Sequence, residues 1–527
     1  MKMSKLKRNL FPLLCALCAA SAGAQGALDL YTMSQTDLRG SARFMSMAGA
    51  FGALGADLST LNQNPGGIGV YRSSEVGMTM GGVKKNVNMN GFKTTNSNFN
   101  FDNIAYVGTF KTGSEMTPTF SWGISYTKAL DFNRHYNGVI SGMRNSMTNY
   151  VARNSKGWTT SDLGAVKGGY DPYMDSYAPW ISILAYNSYL INPTPASNDS
   201  YTGLYKDGTT GYAEMEVRES GHLNEYNVSF GGNVKDMVYW GASIGVSDLE
   251  YRMYSYYGES LEKARVPYVY GDNTYLAEGN AAWGMENYLN MTGAGVNFKM
   301  GLIVKPINEL RLGVAFHTPT FFNVSSYYYA STSYAFDAKA GSGASNIDGT
   351  AETNAGYDGK TEFDARTPWK VMGSVAGVIG GRGIVSLDYE RVMYGGMRTS
   401  YNGREDRSVA ENVAATFKAS DEIRIGGEFK VTPSFSVRAG YSYKTSPVEN
   451  TLTLDPTAGT SMSYTLDNKT QRYTAGVGYR YKAFYADLAY VRTSRQSDYF
   501  GFFDADAPSS SLKDANNEVA VSIGFKF

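Results

Sequence analysis

The stretch "EVAVSIGFKF", residues Glu518 to Phe527, ends the chain with a strict alternation of side chains. One face carries the apolar residues Val519, Val521, Ile523, Phe525 and Phe527. The other face carries the small or charged residues Ala520, Ser522, Gly524 and Lys526. Because successive side chains of a β-strand point to opposite faces, this stretch predicts a final strand with one apolar face.

The same alternation recurs upstream, in "LRLGVAF" (310–316), "SFSVRAGYSY" (434–443) and "RYTAGVGYRY" (472–481). Reading the whole chain in this way predicts about fourteen strands. Alternation by itself also fits a soluble β-sandwich, and loops of varied length also occur in propellers. The chain shows no repeat of about 40 to 50 residues, which a propeller would require.

The predicted connections alternate between short and long. The short ones are "KTGSE", "KD", "KPIN", "GG", "TPS" and "YK". The long ones include residues 130–221, 257–285, 331–361, 399–420, 448–468 and 498–515. Tight turns at one end and long loops at the other are typical of outer-membrane barrels, which also have an even number of strands. The pattern therefore predicts an all-β fold, an antiparallel transmembrane β-barrel occupying residues 73–527, with its largest outer loop at 130–221.

The first residues have the order of a secretory signal peptide. Four cations precede an apolar run from Leu10 to Ala20, and the small residues Ala22, Gly23 and Ala24 follow. We expect cleavage after Ala24, which makes residues 1–24 the signal peptide and removes both cysteines of the chain, Cys15 and Cys18. The mature chain would then have no disulfide and a net negative charge, which argues against a nucleic-acid partner.

The residues that enzymes use for catalysis are scarce. The chain has only 3 His, against 41 Tyr and 59 Gly, and none of the histidines lies in a hydrolase or zinc-ligand motif. We therefore expect no enzyme activity, no catalytic residue, no cofactor and no metal site.

The mature chain begins with a segment rich in small residues, "GSARFMSMAGAFGALGADLSTLNQNPGGIG" (40–69). One interpretation is an ordinary buried Ala/Gly-rich helix of a soluble domain. However, the segment resembles the corresponding one of the FadL/TodX-type outer-membrane transporters of hydrophobic compounds, which ends in Asn-Pro-Ala/Gly-Gly. The likeness continues in "RTPWKVMGSVAG" (366–377), "IRIGGEFKVTPSFSVRAGYSY" (423–443) and the closing strand.

The resemblance implies a fourteen-stranded barrel in the cell outer membrane, with residues 25–72 folded inside it as a hatch that plugs the lumen. Within the hatch, the motif Asn64, Pro65, Gly66 and Gly67 would form the turn that leads into the first strand. It also implies a monomer that takes up long-chain fatty acids or similar lipophilic compounds. The steps would be capture by the outer loops, movement of the hatch and lateral release into membrane lipid.

The 130–221 loop offers a candidate capture surface for the substrate, formed by Trp180, Ile181, Ile183, Leu184, Tyr186 and Leu190. The alternative is that these side chains only pack the loop onto the rim of the barrel. Among the cations predicted to face the lumen, Arg438 and Arg480 are candidates to meet a ligand carboxylate. The alternative for both is an ion pair with carboxylates of the wall or a contact that holds the hatch, since a lone buried charge is costly.

Two other functions stay open at this point. Some proteins with this barrel serve a protein secretion or surface-attachment system, and the long outer loops suit that role as well. A water-filled general porin is the other, but a plugged lumen argues against free diffusion.

Overall fold

A computed structural model describes residues 26–166, 169–195, 197–270, 273–342 and 344–527. The predicted signal peptide, residues 1–24, lies outside the described residues. The strands that the structure describes are β1 (Glu75–Met89), β2 (Phe92–Lys111), β3 (Thr119–Asp131), β4 (Arg134–Ser141), β5 (Asn192–Thr194), β6 (Ser197–Thr202), β7 (Thr210–Val234), β8 (Val238–Tyr270), β9 (Asn273–Ile307), β10 (Leu310–His317), β11 (Phe321–Ala338), β12 (Ile347–Glu352), β13 (Gly359–Arg366), β14 (Lys370–Ile379), β15 (Gly383–Met393), β16 (Arg398–Tyr401), β17 (Arg404–Glu405), β18 (Ala419–Lys430), β19 (Phe435–Lys444), β20 (Tyr464–Tyr481), β21 (Phe484–Phe500) and β22 (Ser509–Lys526).

Short helices lie before the first strand and in the outer loops. The α-helices are α1 (Ala27–Ser34), α2 (Ala42–Ser46), α3 (Thr60–Gln63), α4 (Met147–Asn154), α5 (Thr160–Leu163), α6 (Pro172–Asp175), α7 (Trp180–Asn187) and α8 (Arg407–Thr416), with 3₁₀ turns at Pro65–Val70, Thr353–Gly356 and Tyr394–Gly396. None of the helices in the described part of the chain has both the length and the apolar content needed to cross a bilayer.

Fourteen antiparallel wall strands form one closed barrel, as the sequence predicts. They are β1, β2, β3, β7, β8, β9, β10 with β11, β13 with β14, β15, β18, β19, β20, β21 and β22. The barrel closes where β22 pairs with β1, from Glu75 opposite Lys526 to Met89 opposite Leu512. β10 with β11, and β13 with β14, each count as one strand because they bond to the same neighbours on both sides of a short break.

The closing strand shows how the faces are arranged. Val519, Val521 and Phe525 are 48%, 48% and 50% exposed, whereas Ala520 and Ser522 are almost fully buried. The other wall strands follow the same arrangement, with exposed apolar side chains and buried small or polar ones. The apolar side chains therefore form an outward band, and the small and polar side chains face the interior. A closed barrel with an apolar exterior satisfies its backbone hydrogen bonds in lipid, so the protein is a membrane-spanning barrel of the outer-membrane type.

One predicted loop is not a loop. Residues 257–270 continue β8 and residues 273–285 belong to β9, and these two strands pair over almost their whole length and reach far beyond the apolar band. The alternation in the sequence predicts ends for these strands that are too early, because their outward side chains change from apolar to polar outside the bilayer. The backbone ladder has no reason to stop there, since each strand still has a neighbour to bond.

Candidate functional site

The N-terminal segment, which we define as residues 26–72, lies inside the ring of strands. Its backbone and side chains contact the inward faces of strands on all sides of the barrel. For example, Ala42 N donates to Ser522 Oγ on β22 (2.6 Å), and Gly52 N donates to Asp388 Oδ2 on β15 (2.9 Å). Arg311 on β10 donates to the Leu54 carbonyl (2.5 Å). The segment therefore occupies the lower lumen as a plug would.

The motif Asn64-Pro65-Gly66-Gly67 forms a compact turn against the wall. The Asn64 side chain accepts from Gly66 N (3.0 Å) and donates to the Gly52 carbonyl (2.6 Å), and Gly67 N donates to the Asn64 carbonyl (2.9 Å). A Cβ on Gly66 would lie 2.9 Å from the backbone of Gly301 on β9. A side chain at this position would push the turn off the wall, which explains the need for glycine.

This contact predicts the effect of Gly66→Val. The added side chain should displace the turn from β9, destabilise the folded barrel by roughly 1 to 3 kcal/mol through overpacking, and raise ion conductance in planar bilayers several-fold. Gly82→Val in β1 is the matched control, because a Cβ there meets no atom within 4 Å. Equal conductance in the two variants would show that close seating of the turn does not seal the lumen.

Buried ion pairs fix the segment to the wall. Arg39, whose side chain is 3% exposed, lies between Asp102 on β2 (2.9 Å) and Glu518 on β22. Arg43 binds Glu428 on β18 (2.8 Å). One contact has its cation on the wall instead: Lys299 on β9 donates to the side chain of Asn62 in the N-terminal segment. Charges this deeply buried are stabilised only while every partner is present.

The two predicted lumen cations have different surroundings. Arg438 is buried and binds Glu428 and Asp487 at 2.6 Å each, so in this structure it belongs to the same network as Arg43. Arg480 lies near the short turn between β20 and β21 and is exposed to solvent. Contact of either residue with a ligand stays a prediction.

Above the N-terminal segment lies a cavity of about 240 Å³, the upper cavity. Its floor is α1, which contributes Leu28 and Tyr31. Leu130 and Phe132 line one side, and Arg495 with its partner Asp467 (2.8 Å) lies on the other. No pattern in the sequence indicates this cavity, because its lining comes from strands that are hundreds of residues apart.

The wall has a gap beside the upper cavity. β2 pairs with β3 only from Asn103 opposite Thr127 to Lys111 opposite Thr119, so the backbone ladder stops eight residues above the short turn. That height is about 20 Å at the usual rise and tilt of barrel strands, within the outer half of the membrane. Above it, the described residues 92–102 of β2 have no backbone ladder to β3 or β4.

Only side chains bridge this gap. β3 has a register irregularity between Lys128 and Leu130 and ends at Asp131. Lys85 on β1 binds the Asp131 carboxylate (3.3 Å) and donates to its carbonyl (2.9 Å). Asn98 donates to the same carboxylate (3.4 Å). Because Lys85 and Asp131 also line the upper cavity, the gap and the cavity are adjacent.

The predicted capture residues lie on and beside α7, in the 130–221 loop. Ile181, Ile183, Leu184 and Leu190 are all buried in an apolar cluster with the extended parts of the wall strands. The partly buried Trp180 contacts Tyr328 of β11, which lines the upper cavity (ring centroids 5.0 Å apart). Tyr186 is partly buried and packs against Tyr201. In this arrangement the residues hold the loop on the rim, and their role in capture stays a prediction.

Glu259 on β8 fastens the same loop. It is 1% exposed and accepts from Met147 N at the start of α4 (2.9 Å), from the Ser146 hydroxyl, from Tyr257 (2.8 Å) and from Trp283 (3.2 Å). Burial raises the pKa of this carboxyl to about 7, against the opposing effect of its four donors. One buried carboxyl group therefore links the loop to the β8–β9 hairpin.

The raised pKa of Glu259 predicts how docking of the loop depends on pH. A carboxyl whose pKa rises on burial favours the docked state most below its unperturbed pKa, and this contribution is lost as pH rises through about 7. Nitroxide labels at the exposed positions Asn154 and Glu262 should therefore show more undocked loop by pulsed EPR at pH 8 than at pH 5. Glu259→Gln should abolish the difference, whereas Glu250→Gln, lower on the same strand and only partly buried, should retain it. A pH effect unchanged by Glu259→Gln would contradict this assignment.

The chain is similar in fold to solved structures of outer-membrane transporters. A Pseudomonas aeruginosa FadL homologue matches with a TM-score of 0.53 and 12% identity, over 93% of this chain and 99% of that chain. The matches also include the P. putida toluene transporter TodX (TM-score 0.45, 12% identity, 93% and 99% covered) and the Ralstonia pickettii toluene transporter TbuX (TM-score 0.44, 13% identity, 93% and 99% covered).

No family model and no curated protein sequence matches the chain. The resemblance predicted from the sequence is nevertheless confirmed at the level of the fold, because the match to the FadL homologue covers nearly all of both chains. With its fourteen-stranded closed wall, apolar exterior and filled lower lumen, the chain has the fold of the FadL-type outer-membrane barrels.

Proposed function

We propose that the protein takes up hydrophobic small molecules, such as long-chain fatty acids or similar lipophilic compounds, across the outer membrane without an energy source. The observation that carries the proposal is the position of the upper cavity directly beside the gap between β2 and β3. A molecule in this cavity has a short sideways route to the membrane, while the N-terminal segment blocks the route straight down.

The apolar side chains beside the gap suit such a route. Leu130 lies near the end of β3 and Phe132 directly after it; both are 7% exposed and line the upper cavity. Phe99, at the free edge of β2, is 74% exposed on the outside. A lipophilic molecule would thus pass from one apolar surface to another. Transfer into lipid stabilises it by about 0.8 kcal/mol per CH₂ group, which is sufficient to drive the step.

In this proposal, residues 25–72 act as the hatch. Helix α1 of this segment is the floor of the upper cavity, and Tyr31 donates to Asp467 of the cavity wall (2.6 Å). A ligand that disturbs this contact would shift α1, the floor of the cavity that lies beside the gap. The protein would act as a single barrel, with the ligand and the lipid of the outer membrane as its partners.

Uptake in cells that lack their own transporter tests the proposal. Cells expressing the protein should accumulate labelled oleate or toluene faster than cells with an empty vector, and native mass spectrometry of the purified barrel should find bound lipophilic molecules. The matched variant is Phe132→Asp, which places a charge in the route and should slow uptake at least fivefold. A barrel without small ligands that co-purifies with a secreted protein would instead favour a role in secretion or surface attachment.

A further inference from the structure

The outer connection between β19 and β20 contains neither a helix nor a strand. We define residues 449–463 of it as the covering segment. Glu449 N donates to the Thr416 carbonyl (2.8 Å), and β20 begins to pair with β21 at Tyr464. Between these two points the covering segment forms no backbone hydrogen bond to another segment in the described part of the chain. A segment without such bonds opens at a lower free energy than the paired strands beside it.

The covering segment separates the upper cavity from the solvent. Residues 456–461 and Ser463 line the cavity, whereas residues 450–454 are mostly exposed. Because the segment belongs to an outer connection, it lies on the side of the cavity opposite α1, which is the floor. Cover and floor meet at one edge, where a Cβ on Gly26 would lie 2.9 Å from the Pro456 carbonyl oxygen. The upper cavity therefore lies between α1 below and the covering segment above.

The end of the covering segment next to β20 has several attachments. The Thr460 hydroxyl donates to Asn287 Oδ1 on β9 (2.7 Å). Met462 is buried in the same apolar cluster as α7, and Ser463 is a hydrogen-bond partner of Tyr499 on β21. This end is thus fixed to the wall and can serve as a hinge.

The rest of the covering segment has fewer attachments. From residue 450 to residue 459, the described chain shows one hydrogen bond to another segment, in which the Tyr150 hydroxyl on α4 donates to the Asp455 carboxylate. The Tyr150 ring also packs against the buried Phe502 (ring centroids 5.7 Å apart), so it keeps its place without this bond. Asp455 is partly exposed, and water can replace Tyr150 as its donor at modest net cost. Tyr150 and Asp455 both lie outside the described lining of the upper cavity, so their bond holds the segment without contacting a ligand there.

We infer that the covering segment is a lid, and that a lipophilic molecule enters the upper cavity when the bond between Tyr150 and Asp455 breaks and residues 450–458 move outward. This inference rests on the proposed function, because it gives the same cavity an entry route and a gate. The lid is closed by the 130–221 loop, since α4 belongs to that loop. Removing the bond should change how fast the cavity is reached, because the lid lies on the route.

Labelling of a cysteine inside the cavity tests the inference. Leu289→Cys places a thiol in the lining, on β9 and away from the lid. In intact cells, a charged, membrane-impermeant methanethiosulfonate should label it at least tenfold more slowly than Glu262→Cys at an exposed position. Adding Tyr150→Phe, which removes the hydroxyl and keeps the ring, should speed the labelling of Leu289→Cys at least fivefold. The matched control is Tyr201→Phe, which removes a hydroxyl that donates to the Trp158 carbonyl within the same loop (2.8 Å), and it should change the rate less than twofold.

Cross-linking tests the closed lid by uptake. Cysteines at Tyr150 and Asp455, joined by a reducible thiol-specific linker as long as a tyrosine side chain, should slow oleate uptake at least fivefold, and reduction should restore it. The control joins the same helix to another outer connection, through cysteines at Arg153 and Asp504, which form an ion pair (2.7 Å). That cross-link should leave uptake unchanged, because residues 501–508 are not part of the described lining of the cavity. A heat-induced band shift on gels checks that each variant folds.

The outcomes separate the lid from the proposed function. Uptake that continues unchanged with the lid cross-linked, or labelling that is equally fast with Tyr150→Phe and with Tyr201→Phe, would overturn the inference and leave the proposed function in place. A barrel that takes up no oleate in any form would overturn the proposed function, and the labelling rates would then decide on the lid by themselves.

Discussion

Uptake falls at least tenfold when the two edges of the wall gap are cross-linked, if the gap is the exit. Thr94 on β2 and His135 on β4 lie on opposite edges, and the Thr94 hydroxyl donates to the His135 carbonyl. Cysteines at these two positions can be joined by a short, reducible, thiol-specific linker. The linker holds the edges together where no backbone ladder does, so a lipophilic molecule in the upper cavity loses its sideways route. The rate of oleate uptake before and after reduction measures the effect.

The control places the same linker across a continuous ladder. Arg492 and Asn517 are directly opposite each other in the pairing of β21 with β22, and cysteines there should cross-link without changing uptake. Reduction should restore the Thr94→Cys/His135→Cys variant to within twofold of its uncross-linked rate. If cross-linking of the gap leaves uptake unchanged, the proposal that the ligand is released sideways at this position is wrong.

Arg39→Met should have the second large effect. It leaves the buried carboxylates of Asp102 and Glu518 without their shared cation. Breaking such a buried group by removing one partner costs about 3 to 5 kcal/mol. Part of this cost should appear as a looser N-terminal segment, so the variant should unfold at a lower temperature and conduct ions at least tenfold better in planar bilayers.

Arg72→Met is the control for Arg39→Met. The ion pair of Arg72 with Asp236 (2.6 Å) is exposed to solvent, with side-chain exposures of 43% and 50%. Exposed pairs contribute only about 0 to 1 kcal/mol, so this variant should retain its conductance and unfolding temperature. The triple variant Arg39→Met, Asp102→Asn, Glu518→Gln removes the stranded charges and should recover much of the lost stability. An Arg39→Met barrel that stays closed would show that this cluster does not hold the segment.

The fold could be predicted from the sequence because every strand of a barrel wall shows the same alternation of side chains. Alternation identifies each strand, as in Val519, Val521 and Ile523, and the outward direction of the apolar face follows from the absence of any other way to cross lipid. Strand ends outside the membrane were harder to place. There the exposed side chains are polar, as at Glu262 and Lys263, and the period-two signal between apolar and polar residues disappears.

Only part of the candidate site could be predicted from the sequence. The small residues of 40–69 indicated a segment that lies close to the wall, and Asn64-Pro65-Gly66-Gly67 does so. The apolar residues of α7 are buried in an outer cluster, which no spacing along the loop could reveal, because their partners are on the extensions of distant wall strands. Arg438 and Glu428 are directly opposite each other on the neighbouring strands β19 and β18, which follow one another in the sequence, whereas Asp487 lies two strands away from Arg438 on β21.

The sequence by itself determined the class of protein: a chain of amphipathic strands that must close into a barrel, with a small-residue segment ahead of the first strand. Only the tertiary structure decided where the pairing of β3 with β2 stops, that Lys85 and Asp131 bridge the gap, and that strands far apart in the sequence enclose the upper cavity. The reason is physical. Strand identity is a local property of alternating side chains, whereas a gap and a cavity depend on which distant strands face each other after the barrel has closed.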